Sequence, residues 1–213
     1  MRLVLLGPPG SGKGTLAGPL ALHLAVPHIA TGDLFRAEIE AETELGLLAN
    51  EYIAHGNLVP DEVTNELARK RLGEPDASGF VLDGYPRTLD QARALAVALG
   101  ELGRPLDGAV LIDVPDDQIV ARAVGRLLCP NCGAIYHLVN KPPQVAGICD
   151  ICRGVLKTRE DDTPSTVRHR LAVYHRITSP VLRFYEEQGL LRKVDGSGTA
   201  EDVLIKVLAF WAG

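Results

Sequence analysis

The sequence predicts an α/β fold in which a central parallel β-sheet is flanked by helices. Short Val- and Leu-rich runs alternate with helix-like stretches, the pattern of strands buried on both faces and joined by helical crossovers. A glycine-rich loop follows the first apolar run directly, as at a strand-to-helix turn. The 213 residues, 46% hydrophobic and 23% charged, suit one globular domain with room for a small insertion.

The candidate strands are Arg2–Leu6, His28–Ala30, Phe80–Asp83, Ala109–Val114 and Leu190–Val194. A helix is expected to begin at the glycine-rich loop, kinked at Pro19 because proline removes a backbone hydrogen bond. Asp61–Leu72 reads as a helix opened by a capping Asp and followed by Gly73; Thr88–Leu99 opens on Thr and meets Gly100. Pro164 and the following STVRHRLAVYHRITSPVLRFYEEQ read as one long helix with proline in its first turn and a bend near Pro180. Ala200–Trp211 closes the chain as another. The sequence shows no internal repeat and no low-complexity tract.

With 22 Lys+Arg against 27 Asp+Glu, the net charge is −5. Such a molecule offers no general attraction to nucleic acid or anionic lipid, so neither is expected as a partner and any basic site must be local. No apolar run approaches the roughly 20 residues of a membrane span. The opening MRLVLLGPPG leads into the glycine-rich loop rather than a signal-peptide cleavage region, so a cytoplasmic, monomeric protein is expected.

The loop itself, GPPGSGKGT from Gly7 to Thr15, fits the phosphate-binding template G-x-x-x-x-G-K-[ST], except that Gly14 precedes the threonine by one place. Consecutive backbone N–H groups must curl around phosphate oxygens with no side chain in the way. Lys13 supplies charge to those oxygens, and the helix that begins here adds its positive end. The second motif is LDGYPRT, Leu82 to Thr88, where an apolar strand ends in Asp83. An acid there can orient magnesium-bound water, and Arg87 is close enough to reach a phosphate at the carboxyl end of the sheet, where open α/β sheets bind ligands. A strand-end Asp followed by Gly is also an ordinary turn; the neighbouring phosphate loop favours function.

The third motif uses all four cysteines: Cys129 and Cys132, sixteen residues, then Cys149 and Cys152. This matches a structural zinc template, each pair aiming two thiolates at one metal. Gly133 and Gly154 stand where a tight knuckle needs a positive φ. Two disulfides are the alternative, disfavoured in a reducing cytosol. Zinc would hold together about 38 residues that are too few to build a stable core alone.

GPPGSGKGT, TGDLFR (Thr31–Arg36), LDGYPRTLDQA (Leu82–Ala92) and TREDD (Thr158–Asp162) together resemble the adenylate kinase family over essentially the whole chain. The resemblance implies transfer of the γ-phosphoryl group from Mg-ATP to AMP, giving two ADP. It also implies a phosphate-loop kinase core (1–29, 60–124 and 163–213), an AMP-binding segment (30–59) and a zinc-ribbon-like lid (125–162). By the same resemblance Gly10, Ser11, Gly12, Lys13, Gly14 and Thr15 hold ATP, joined by Arg126, Ile135, Tyr136 and Gly198. AMP would meet Thr31, Arg36, Asn57, Leu58, Val59, Gly84, Arg87, Gln91, Arg159 and Arg170. The expected catalytic set is Lys13, Arg87, Arg122, Arg126, Arg159 and Arg170 with Mg²⁺. Charge and positioning dominate a loose, in-line phosphoryl transfer. A lid would close over both nucleotides and exclude water.

Two other readings compete. A nucleic-acid-binding zinc ribbon conflicts with the net charge. A kinase for UMP or CMP would share the fold, but Thr31 and the long lid favour AMP by resemblance. Two positions depart from the family: Leu16 stands where glutamine is common, and Gly198 lies near where some members carry a lysine, leaving its backbone to serve.

Overall fold

The computed structural model describes residues 1–158 and 162–211. In chain order the elements are β1 (Arg2–Leu6), α1 (Lys13–His23), β2 (His28–Ala30), α2 (Thr31–Glu40), α3 (Glu44–Ile53) and α4 (Asp61–Leu72). Then come β3 (Phe80–Asp83), α5 (Leu89–Glu101), β4 (Gly108–Asp113), α6 (Asp116–Val124), β5 (Arg126–Leu128) and β6 (Ile135–His137). The chain ends with α7 (Pro164–Val173), a π-helical turn (Tyr174–Thr178), α8 (Ser179–Glu187), β7 (Leu191–Asp195) and α9 (Ala200–Ala209).

A five-stranded sheet runs β2-β3-β1-β4-β7, with every neighbouring pair parallel. The two-residue period of a strand divides its side chains between two cores. Leu3 and Leu5 of β1 point to the layer of α1, α7 and α9, against Leu20, Leu171 and Val207. Val4 and Leu6 point to the layer of α4, α5 and α8, against Leu72, Leu95 and Val181. Each such leucine or valine is stabilised by roughly 1.5–3 kcal/mol relative to exposure. The outcome is a rigid sheet whose carboxyl ends open between the helical layers.

Two smaller clusters stand apart from these cores. Phe35, Ala49 and Val59 pack α2 against α3. Leu127, Tyr136 and Leu156, with Cys129 and Cys149, fill the insert around the antiparallel pair β5–β6. The sequence pattern did not separate α2, α3, α6, β5 or β6, because their apolar faces cover these small clusters or sheet edges rather than one long core.

The expected strands appear, with β4 and β7 shifted by one residue, and α1 continues unbroken through Pro19. The bend expected near Pro180 takes the form of the π turn. Pro180 has no N–H to offer the carbonyl four residues back, and Ser179 N–H reaches the Tyr174 carbonyl five residues back. Gly100 does not stop α5, which runs to Glu101; the left-handed residue is Gly103.

Thr88 caps α5 as expected, accepting from Gln91 N–H at 3.1 Å. Asp61, however, is not a cap: Pro60 occupies that position, and Asp61 is the first residue of α4. Its carboxylate instead accepts from Thr88 Oγ1 at 2.5 Å and from Gln91 Nε2 at 2.7 Å, tying α4 to α5. Since Gln91 is only 2% exposed, its amide has no ready access to water as a replacement. Asp61→Ala is therefore expected to lower stability by about 1–3 kcal/mol in urea unfolding; an unchanged midpoint would remove this tie from the fold's support.

Candidate functional site

The glycine-rich loop leaves β1 at Gly7 and enters α1 at Lys13. Gly7 has φ 142°, and a Cβ there would lie 2.6 Å from the Ile112 carbonyl oxygen of β4, so no other residue fits. Gly12 precedes α1 and offers no side-chain cap. Thr15 N–H reaches back to the Gly12 carbonyl at 3.0 Å, while the Lys13 and Gly14 N–H groups before it have no side-chain cap; such a helix start suits an anion.

Lys13 folds back over the loop, donating to the Gly7 and Pro8 carbonyls at 2.7 and 2.8 Å. Burial lowers its ammonium pKa to about 8; Asp83 works against this, while Arg87, Arg170 and Arg126 add to it. Asp83 ends β3 beside this lysine. Burial alone would raise its carboxyl, but His28, Lys13 and Arg87 together hold it below the ordinary aspartate value. His28 Nε2 stands 3.9 Å from Asp83 Oδ2, so the attraction is through space. An ionised, partly exposed carboxylate at a strand end fits magnesium-bound water.

A cleft opens beside this loop at the carboxyl end of the sheet. Thr31 and Arg36 of α2 line it, as do the loop residues Asn57, Leu58 and Val59; Gly84, Arg87, Gln91 and Arg170 complete it. Arg87 is set by two bonds: its Nε donates to the Gly84 carbonyl at 2.7 Å, and its backbone N–H to Gln91 Oε1 at 2.7 Å. Arg36 pairs with Asp33 on the same helix. Asn57 Oδ1 lies 3.1 Å from His169 Nε2, which fastens the loop to α7 beside Arg170.

Arg126 forks onto Asp162, with Nε 2.7 Å from Oδ2. This pair joins the two ends of the insert. Arg122 is placed differently from the other arginines: its guanidinium donates to the Gly196 and Ser197 carbonyls at 2.9 and 3.1 Å. It therefore braces the loop that carries Gly198. Arg159 lies outside the described residues, as do Glu160 and Asp161 of the TREDD motif.

All four cysteine sulfurs lie within 4.8 Å of one another. Sγ atoms from opposite knuckles approach to 3.3 Å (Cys129, Cys152) and 3.6 Å (Cys132, Cys149). Thiolates at about 2.3 Å from a tetrahedral zinc stand about 3.8 Å apart, so the donor set fits that ion. The two knuckles repeat one backbone pattern, Gly133 N–H to the Cys129 carbonyl and Arg153 N–H to the Cys149 carbonyl, both at 3.0 Å. Gly133 has the expected positive φ, but in the second knuckle that role falls to Arg153 (φ 62°) and not to Gly154. Gly154 is required for space: a Cβ there would come within 2.6 Å of Asn131 Nδ2 and 3.3 Å of Cys129 Sγ.

Ile135 and Tyr136 part company on β6. Ile135 Cδ1 reaches within 3.9 Å of where a Cβ on Gly14 would stand, over the phosphate loop. The Tyr136 side chain is 4% exposed and turned toward the cysteines, so any contact it makes with a nucleotide falls to its backbone. The sequence did not single out His28, Asp61, His169 or Asp162 as partners. Only Asp162 lay inside a quoted motif.

Comparisons with known proteins place the chain beside one family. The family described as adenylate kinase matches residues 5–190. The adenylate kinase of Symbiobacterium thermophilum is 53% identical over 204 residues, 95% of this chain and 94% of that one. Those of Streptomyces avermitilis (50%, covering 95% and 93%) and Staphylococcus aureus (47%, covering 98% and 97%) are similarly extensive.

The sulfur cluster makes its own prediction. Titration with Co²⁺ is expected to give the sulfur-to-cobalt charge-transfer absorption of a tetrahedral thiolate site, and Cys149→Ser to weaken it markedly. Full-strength absorption in that variant would exclude Cys149 as a ligand.

Proposed function

We infer how the site works from the premise that this chain belongs to the adenylate kinase family. It is a nucleoside monophosphate kinase, transferring the γ-phosphoryl group of ATP to AMP. The observation that carries the residue assignment is a shared pair of arginines. Arg87 and Arg170 line the cleft beside the glycine-rich loop and also act on the Lys13 ammonium. One set of cations therefore faces both the donor loop and the acceptor cleft.

In this reading Gly10 to Thr15 cradle the ATP phosphates, with Lys13 shifting from its carbonyl partners to the β/γ oxygens. Asp83 would hold Mg²⁺ through water, and the ion would supply positive charge to offset that developing on the phosphate oxygens. Thr31, Arg36, Asn57 to Val59, Gly84 and Gln91 hold AMP, so that its phosphate lies between Arg87 and Arg170. These two arginines and Lys13 stabilise charge spreading over the transferred group. Arg126 and, by resemblance, Arg159 join from the lid. Arg122, through the loop carrying Gly198, shapes the donor base pocket and is set apart from the transfer itself.

Residues 30–59 and 125–162 would be the moving parts on a core of 1–29, 60–124 and 163–213. The four cysteines would hold zinc, whose role is structural because four thiolates leave no open coordination position. Among the described residues the four cysteines form no disulfide, and no helix is long and apolar enough to cross a membrane; a cytoplasmic setting remains our reading. We take the working unit to be a monomer, since donor loop, acceptor cleft and lid all come from one chain.

A coupled assay of ADP formation from ATP with AMP, CMP, UMP or GMP, with and without Mg²⁺, tests the assignment. The expected outcome is Mg²⁺-dependent ADP formation with AMP strongly preferred; ATP loss independent of AMP would contradict it. Lys13 adds a pH signature. In the free enzyme its charged form, the one that binds phosphate, is lost as pH rises through about 8. The kcat/KM for ATP is expected to fall above that pH by about tenfold per unit, while kcat at saturation stays flatter because bound phosphate restores the ammonium pKa. Lys13→Met should lower kcat by about 10²–10³-fold and remove that inflection; an inflection surviving in this variant would assign it elsewhere.

A further inference from the structure

We infer that Tyr136 is a positioning residue for the metal knuckles, its hydroxyl joining the second knuckle to the strand that carries Ile135. The inference rests on the zinc reading above, and its geometry is that of two hydrogen bonds on one buried phenol. Tyr136 Oη accepts the Asp150 backbone N–H at 2.9 Å. A phenol has a single hydrogen, and with the oxygen already accepting, that hydrogen is left for Cys149 Sγ at 3.5 Å. Cys149 and Asp150 belong to the second knuckle, whereas Tyr136 lies on β6, directly after the first.

Beside the backbone bridge between Leu128 and Lys157, the knuckles are joined by the metal, through all four sulfurs, and by Tyr136, through one sulfur and one amide. An O–H donated to a metal thiolate disperses its charge and fixes the sulfur's orientation, the role that outer hydrogen bonds play at metal sites generally. The surroundings leave few substitutes. Among the described residues the buried cluster of the insert holds Leu127, Cys129, Tyr136, Cys149 and Leu156, with Ala134 packed against it, and Lys141 Nζ sits 5.6 Å from the ring centroid.

The consequence reaches the phosphate loop. Ile135, one residue before Tyr136, is the side chain that approaches Gly14. Alternation along β6 sends Ile135 and Tyr136 to opposite sides, so fixing the tyrosine against the second knuckle also fixes the isoleucine over the loop. Tyr136 thus adds a side-chain route from the second knuckle to Ile135, beside the backbone bond by which Cys129 N–H reaches the Ala134 carbonyl at 2.9 Å.

The test uses the full-length, metal-loaded protein and Tyr136→Phe, which keeps the ring and removes the hydroxyl. Zinc release to a chromophoric chelator, without nucleotide, is expected to be about tenfold faster in the variant, the lower end of the effect of outer-shell changes on metal affinity. In the cobalt-substituted proteins the sulfur-to-cobalt band should move to lower energy, because a thiolate that loses a hydrogen bond gives up its electrons more easily. Tyr185→Phe, which alters another buried hydroxyl in the sheet core, should match the wild type in both measurements. Release within twofold of the wild type, together with an unshifted band, overturns the inference and leaves the zinc reading intact. A wild-type protein that carries no zinc and binds no cobalt overturns both.

Discussion

An ammonium cannot be both fully charged and buried without an anion beside it, and Lys13 is placed to feel that conflict. It donates to the neutral Gly7 and Pro8 carbonyls, and among the described residues Arg87, Arg170 and Arg126 lower its pKa while Asp83 raises it. The ammonium therefore gives up its proton more easily than an ordinary lysine, and a bound polyphosphate would reverse that. Most of the rest of the structure serves this arrangement. The sheet fixes the ends of β1 and β3, Gly7 permits the chain to pass the Ile112 carbonyl, and Asp61 holds the α4–α5 pair whose Gln91 accepts from the Arg87 backbone. Polar groups aimed in advance at a charge that develops later need little reorganisation when it does.

The acceptor side is built more lightly. The cleft walls from α2 and the Asn57–Val59 loop rest on the small Phe35–Ala49–Val59 cluster, and the loop is fastened to α7 by an exposed contact between His169 and Asn57. Elements with few buried apolar contacts open at low free-energy cost. In the proposed reading the stiffer half of the site is therefore the donor loop on the sheet, and the more lightly packed half is the one that would admit the second nucleotide.

What could be read from the sequence follows the same division. β1, β2, β3 and α4 fall at their expected residues, since a sheet buried on both faces imposes continuous apolar runs that little else produces. The glycine-rich loop was equally plain, because its chemistry demands residue types as well as order. Side-chain partners across long separations were not legible. Asp61 looked like a cap, as Asp before a helix often is, and only the proximity of α5 shows where its carboxylate goes. Arg122 resembled its neighbours in charge; its carbonyl partners lie 74 and 75 residues away. Gly154 was read for its backbone freedom when the constraint was space beside Cys129, and the direction of Tyr136 depended on the insert folding around its sulfurs.

The pairing of Arg126 with Asp162 carries one more implication. The two residues stand at either end of the insert, and their side chains meet, so the chain leaves the core and returns to it at nearly one point. A segment attached in this way behaves as a cassette: its internal chemistry can be exchanged without altering the distance its ends must span. Thiolates with a metal, or a network of hydrogen-bonded polar side chains of equal size, would meet the same mechanical requirement. The sheet and its phosphate loop would register the exchange through the positions of β5, which carries Arg126, and β6, which carries Ile135.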